Sequence, residues 1–378
     1  MANRTRHEGP EPHYDRVVSG YSTFHHPQPF RFEWGGELPE LTIAYETWGT
    51  LSPARDNAVL LHTGLSASSH ARSHRANPSP GWWEEFIGPD LAVDTNRFFV
   101  ICSNLLGGCY GSTGPASTDP RTGRPYATDF PILTVGDMVR AQLALLDHLG
   151  IERLHASSGA SLGGMQSLLL AGLVPERVAR VISISAALRS HPQSIAFRFV
   201  QRQAVMADAD WRGGRYYGLS FPHRGQKIAR EMGTITYRSG PEWQVRFGRA
   251  RTAEDTAPRL DEDFEVERYL AHQGEKFCLQ YDANSYLYIS KAMDLFDLTD
   301  GSRGRPPIER IACPTLVIGV SSDLLFPVWQ QRELAAALRK QGAPVTYVEL
   351  DAPYGHDTFL IDRERVGGAV KAHLEDAE

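Results

Sequence analysis

Five residues constrain this chain more than any others: Gly159-Ala160-Ser161-Leu162-Gly163, a G-x-S-x-G motif set between a β-rich run and a helical one. Upstream, residues 154–158 read as a strand. Downstream, MQSLLLAGL reads as a helix. A strand that turns at once into a helix leaves little room for side chains beside the serine, which is why glycine flanks it. The turn lifts the Ser161 hydroxyl above the end of a sheet. It also sets the hydroxyl at a helix N-terminus, where developing negative charge is favoured.

The rest of the chain supplies a sheet for this turn. Leu41–Trp48, Ala58–His62 and residues 98–102, 154–158 and 181–185 are short β-rich runs between turn residues. The last three are continuously apolar or nearly so, as parallel strands covered on both faces are. Residues 137–150, DMVRAQLALLDHLG, carry apolar side chains at helical spacing and stop at Gly150. Strand, helix, strand in this order predicts a mostly parallel α/β sheet. Residues 187–300 are amphipathic and rich in Arg, Gln and aromatics, and predict a mostly helical insertion. GSRGRPP at 301–307 reads as a linker, after which Thr315–Val320, residues 330–339 and Val345–Leu350 restore the α/β pattern. The predicted organisation is therefore one core, 1–186 with 301–378, carrying a helical lid at 187–300. Residues 1–30, rich in His and Pro, are expected to form an irregular N-terminal arm.

A serine nucleophile needs a base and a group to orient that base. In this kind of sheet they follow in the order Ser, Asp or Glu, His. Asp323 comes just after the strand TLVIGV, and His356 just after VTYVEL. Both sit at strand C-terminal ends, where functional groups converge in open α/β sheets. Ser161, Asp323 and His356 are thus the predicted triad, with His356 taking the serine proton and Asp323 holding the imidazole.

Other chemistries are less well served. Lys and Arg number 39 against 45 Asp and Glu, a net charge of −6, so no nucleic-acid partner is expected. No apolar run approaches the roughly 18 residues of a membrane span, and the polar N-terminus does not read as a secretory signal. The four cysteines form no C-x-x-C pair, which predicts buried thiols in a reducing, cytoplasmic setting. His70 and His74 have the i, i+4 spacing of a helical zinc pair, but HARSH lacks the glutamate of H-E-x-x-H and lies in a Ser-rich loop. No metal is expected. Asp294, Asp297, Asp300 and Gly301 have the wrong spacing for a calcium loop and read as a solvated helix end. The Gly-rich stretch 107–114 is followed by no P-loop lysine and is expected to line the mouth of the active site. Cys109, within it, has no base placed for it.

The segments PGWWEEFIGP (80–89), DTNRFFVICSNLLGGCYGSTGP (94–115), GASLGGMQ (159–166), DANSYLY (282–288), SSDLLFP (321–327) and YGHDTFL (354–360) go further than the triad. With them, the chain resembles the homoserine O-acetyltransferase family of the α/β-hydrolase superfamily, from about residue 30 to about 362. The resemblance implies an α/β-hydrolase fold and a two-step reaction without a bound cofactor. Ser161 would take an acetyl group from acetyl-CoA, the co-substrate, and pass it to the hydroxyl of L-homoserine. It implies backbone N–H groups of Leu162 and Leu65 as the oxyanion hole. Arg230 would hold the acceptor's carboxylate and Asp357 its amino group, and the protein would be a homodimer built on the helical lid.

Two departures from that family matter for substrate. Residues 62–70 read HTGLSASSH where the family reads like H-A-L-T-G-D-x-H. The loop borders the acceptor, so L-serine, one methylene shorter, competes with homoserine; a methylene is worth only about 1–3 kcal/mol of discrimination. Family members that use succinyl-CoA tend to carry an Arg two residues after the triad Asp. Here Leu325 stands in that place, which favours acetyl, while Arg189, Arg198 and Arg202 keep a succinyl group open from the lid side. A hydrolase on the same triad is the alternative outside transfer.

Overall fold

Eight strands join in one sheet in the computed structural model, which describes residues 11–12, 14, 18–253, 257–260 and 263–376. They are β1 (Ser22–His26), β2 (Leu41–Trp48), β3 (Ala58–His62), β4 (Phe99–Ser103), β5 (Ala156–Ala160), β6 (Val181–Ile184), β7 (Thr315–Val320) and β8 (Val345–Leu350). Their order across the sheet is β1-β2-β4-β3-β5-β6-β7-β8. The first two pairings are antiparallel and the other five parallel. A doubly covered parallel sheet explains the apolar runs: β3, β6 and β7 are buried at every position. Alternation along the strands splits their side chains between two cores. Leu60, Ile101 and Val317 pack with Leu145 of α1 (Val135–His148) and Leu168 of α2 (Leu162–Leu173). Leu61, Val100 and Ile318 face the other way, toward Trp83, Phe86 and the C-terminal helix residues Val366 and Val370.

Local chemistry sets the boundaries. Helix α1 starts at Val135 because Thr134 and Asp137 form a reciprocal capping box, each side chain accepting from the other's backbone N–H. Strand β5 runs over 156–160, two residues later than the apolar pattern suggests. Its sequence, ASSGA, is buried but small, and that smallness lets α2 lie close: Ser167 Oγ donates to the Ser157 carbonyl at 2.6 Å. Part of the expected N-terminal arm lies outside the described residues. Within it, residues 22–26 are not irregular but form β1, because Phe24 alternates inward between exposed neighbours and pairs opposite Ile43.

Between β6 and β7 the chain runs through α3 (Pro192–Ala207), α4 (His223–Tyr237), α5 (Gly240–Phe247), α6 (Glu265–Cys278) and α7 (Ala283–Asp294). Helix α7 is buried along most of its length. Its cap, Asp282, is fully enclosed and accepts from the hydroxyls of Tyr14, Tyr216 and Tyr217 and from the Ser285 N–H. Four donors compensate a carboxylate that burial pushes above its ordinary pKa. Among the described residues, no helix is long and apolar enough to cross a membrane.

Two sequence expectations change here. Asp294 is not a solvated helix end: its side chain is 4% exposed and pairs with both Arg198 and Arg202 at 2.6 Å. The Gly-rich stretch 107–114 does not line the cleft described below. It folds against the β2 edge, where Thr113 N–H donates to Thr42 O, Ser112 Oγ accepts from Ala44 N–H, and a side chain on Gly114 would strike Gly108 O at 2.2 Å.

Candidate active site

The turn from β5 into α2 holds Ser161 at φ 56°, ψ −124°, with its N–H donating to Ile184 O at 2.9 Å. The flanking glycines are needed sterically. A Cβ on Gly159 would lie 2.3 Å from the Gly163 carbonyl carbon, and one on Gly163 would lie 2.4 Å from His62 O. Ser161 opens onto a cleft also lined by Leu65, Arg198, Arg230, Leu325, His356 and Asp357, among others. The core and the inserted helices therefore both contribute walls to it.

His356 follows β8 on a short 3₁₀ turn, and Asp323 follows β7. The His356 ring stacks on Phe326, with Phe359 edge-on to it. Its Nδ1 lies 2.7 Å from Asp323 Oδ2. Asp323 is oriented in turn by the N–H groups of Leu325 and Phe326, both donating to Oδ1 at 2.8 Å. Burial disfavours the His356 cation, but the Asp323 carboxylate outweighs burial and raises the ring's pKa above its ordinary value. Proton placement follows: Nδ1–H faces Asp323, so Nε2 is left with the lone pair of a base. A helix N-terminus leaves its first N–H groups unpaired, and Leu162 is the first residue of α2. Leu65 lines the cleft, and its carbonyl accepts from Tyr281 Oη at 2.8 Å.

The two other polar positions predicted from sequence lie in the same cleft. Arg230 lies against the rings of Phe277 (4.7 Å) and Tyr237 (5.4 Å). Its buried Nε has no hydrogen-bond partner among the described residues. Asp357 is raised in pKa by burial, against the pull of Arg238, whose Nη2 is 3.2 Å away. A guanidinium with no ion pair among the described residues and a largely buried carboxylate, in one cleft with a serine and a histidine, form a charge pattern that a zwitterionic amino-acid head group can match. Cys109 is buried elsewhere, and burial together with Asp282 pushes its thiol well up. Sequence reasoning overlooked Tyr281, the residue just before DANSYLY, and Arg238, for which the sequence carries no signal.

Residues 57–362 match the family model described as the α/β hydrolase fold, and the chain belongs to that family. Within it, the chain is 51% identical to a serine O-succinyltransferase of Schizosaccharomyces pombe, over 97% of this chain and 86% of the relative. It is 46% identical to a homoserine O-acetyltransferase of Moorella thermoacetica, over 92% of this chain and 94% of the relative. A crystal structure of homoserine O-acetyltransferase from Bacillus anthracis superposes with a TM-score of 0.87 at 29% identity, covering 95% and 98% of the two chains. The protein is an acyltransferase of the homoserine O-acetyltransferase family, as the sequence motifs indicated.

Proposed function

We propose that this acyltransferase moves a succinyl group from succinyl-CoA to the hydroxyl of L-serine, through an acyl-Ser161 intermediate. The observation that carries the choice of donor is a charge imbalance beside the cleft. Arg198 and Arg202 share one carboxylate, Asp294. Arg198 is 3% exposed and lines the cleft, and its buried Nη1 has no hydrogen-bond partner among the described residues. A buried guanidinium N–H left unpaired is costly. A succinyl carboxylate would satisfy it, and an acetyl group would not.

In the first half-reaction Ser161 Oγ attacks the thioester carbonyl and gives its proton to His356 Nε2. The oxyanion is held by the Leu162 and Leu65 N–H groups. As the tetrahedral adduct collapses, the C–S bond breaks and His356 returns the proton to the departing CoA sulfur. In the second, His356 takes the proton of the acceptor hydroxyl, which attacks the acyl-serine, and Ser161 leaves with that proton. Arg230 and Asp357 hold the acceptor's carboxylate and amino group, and Asp323 fixes the imidazole throughout. Serine is favoured as acceptor by the altered 62–70 loop and by the yeast relative's name.

Transfer of acetyl to homoserine is the second reading. It is favoured by Leu325, which presents an apolar side chain to the cleft, and by the Moorella relative. A grid of acetyl-CoA and succinyl-CoA against serine and homoserine, read as CoA release, separates the two. Succinyl-CoA with serine is expected to be fastest. Acetyl-CoA with homoserine being fastest would establish the second reading, and equal CoA release without any amino acid would make the protein a hydrolase. Phe199 and Val200 on α3, with Ile228 and Ile235 on α4, are each 46–51% exposed. Large apolar residues exposed together on adjacent helices support a homodimer through the insertion, to be tested by the mass in solution. The four cysteines are free thiols, in keeping with a reducing, cytoplasmic setting.

A further inference from the structure

Away from the cleft, three metal-ligating side chains converge that the proposed reaction leaves unused. Glu46 stands on β2, and His70 and His74 on the loop after β3; one ligand atom from each lies within 4.8 Å of the others. His70 Nδ1 is 2.8 Å and His74 Nε2 is 2.7 Å from the same oxygen, Glu46 Oε2. The side chains of Glu46, His70 and His74 are 1%, 8% and 22% exposed, so the cluster is enclosed except on the His74 side. A carboxylate reaches both histidines from a strand, 24 residues before His70.

The ring-nitrogen geometry leaves a place for a cation at this point. His70 Nε2 lies 2.7 Å from the Ser79 carbonyl oxygen, which can only accept, so Nε2 carries a proton. In a neutral ring Nδ1 would then present a lone pair to a carboxylate oxygen, two acceptors face to face. Something positive has to lie between them, either a second proton or a metal ion. The surroundings suit a metal: a ligating histidine usually donates its other N–H to a carbonyl, as His70 does. Glu46 Oε1 accepts from Ser69 Oγ at 2.7 Å, which keeps Oε2 turned toward the histidines. Tetrahedral zinc ligands at ordinary bond lengths are about 3.3 Å apart. Each histidine would need to withdraw by roughly half an ångström, and His74 would exchange its long 3.2 Å bond from Ala76 N–H for a ring proton on Nδ1.

We propose that Glu46, His70 and His74 bind one divalent cation of the zinc class, with solvent as the fourth ligand. The ion staples the segment after β3 to β2. That segment begins with the cleft-lining residues 64–67 and is tied further down by Ser69 N–H donating to Asn104 Oδ1 at 2.6 Å. The role is to stiffen a wall of the cleft, and it holds whichever acyl group is transferred.

The test uses the full-length protein stripped with chelator, then titrated with Co²⁺ and with Zn²⁺. One equivalent of Co²⁺ is expected to give the intense visible bands of a tetrahedral site, and Zn²⁺ to abolish them and raise the melting temperature. His74→Ala, at the most exposed of the three positions, is expected to fold and to weaken binding by more than about tenfold. Glu46→Gln should do the same. Absence of stoichiometric binding at micromolar metal would overturn the proposal and leave a proton-bridged His-Glu-His cluster, as would binding that His74→Ala leaves unchanged.

Discussion

Tyr281 reaches from the inserted helices to the core and donates its hydroxyl to the Leu65 carbonyl at 2.8 Å. The two residues are 216 positions apart in sequence, yet Tyr281 braces the backbone at Leu65, whose N–H is proposed to meet the oxyanion. Tyr281→Phe keeps the ring stack on Phe277 and removes only this bond. We expect kcat to fall about tenfold, roughly 1.4 kcal/mol, with a loss of stability of only about 1 kcal/mol. An unchanged kcat, measured by CoA release at saturating substrates, would show that Leu65 needs no such brace.

The acid limb of the pH profile should be set by His356. Asp323 raises the ring's pKa above its ordinary value, and the ring serves as base only when neutral. The rate should therefore climb with pH through a midpoint above 6.5, the ordinary value. The same shift contributes stability that is fully present below the unfolded-state pKa and lost as pH rises through the folded one. Asp323→Asn removes the pull, so the limb should move to lower pH while kcat drops about 10⁴-fold. A limb that stays in place would point to another titrating group.

Arg230→Ala should separate the two half-reactions. Its ring-stacked guanidinium is assigned to the acceptor's carboxylate, not to the thioester. We expect the acceptor KM to rise at least about thirtyfold, roughly 2 kcal/mol. The burst of acyl-enzyme from acyl-CoA alone, followed by mass spectrometry of the intact protein, should be unchanged. Loss of the burst would remove Arg230 from its assigned place.

Arg198→Leu should change the donor. Asp294 keeps Arg202 as a partner, so the variant is expected to fold with charges evenly matched. Its kcat/KM for succinyl-CoA should fall about 100-fold, and that for acetyl-CoA should hold or rise. Parallel losses for both donors would mean that Arg198 does not read the acyl chain.

The frame of this site is legible in the sequence because its strands are short β-rich runs that end in turn residues. Leu41–Trp48, Ala58–His62, Thr315–Val320 and Val345–Leu350 were placed to the residue. Strand β5 was displaced because ASSGA is buried by its central position rather than by apolar side chains. The Glu46-His70-His74 cluster escaped because motif spacing sees only neighbours in sequence, and β2 is brought to the loop by the order of the sheet. Asp294 read as solvated for a similar reason: its counter-ions come from α3, nearly a hundred residues earlier. Charge pairing across elements has no local periodicity to betray it.

The backbone at Ser161 has a thermodynamic consequence. At φ 56°, ψ −124°, a side-chain-bearing residue sits in a region that only glycine enters freely, at a cost of about 1–3 kcal/mol. The folded state carries that cost in every molecule, whether or not substrate is present. Ser161→Gly should therefore resist heat and urea better than the active protein while transferring nothing. Selection for robustness alone would erase the nucleophile, so its persistence in the chain is paid out of the stability of everything around it.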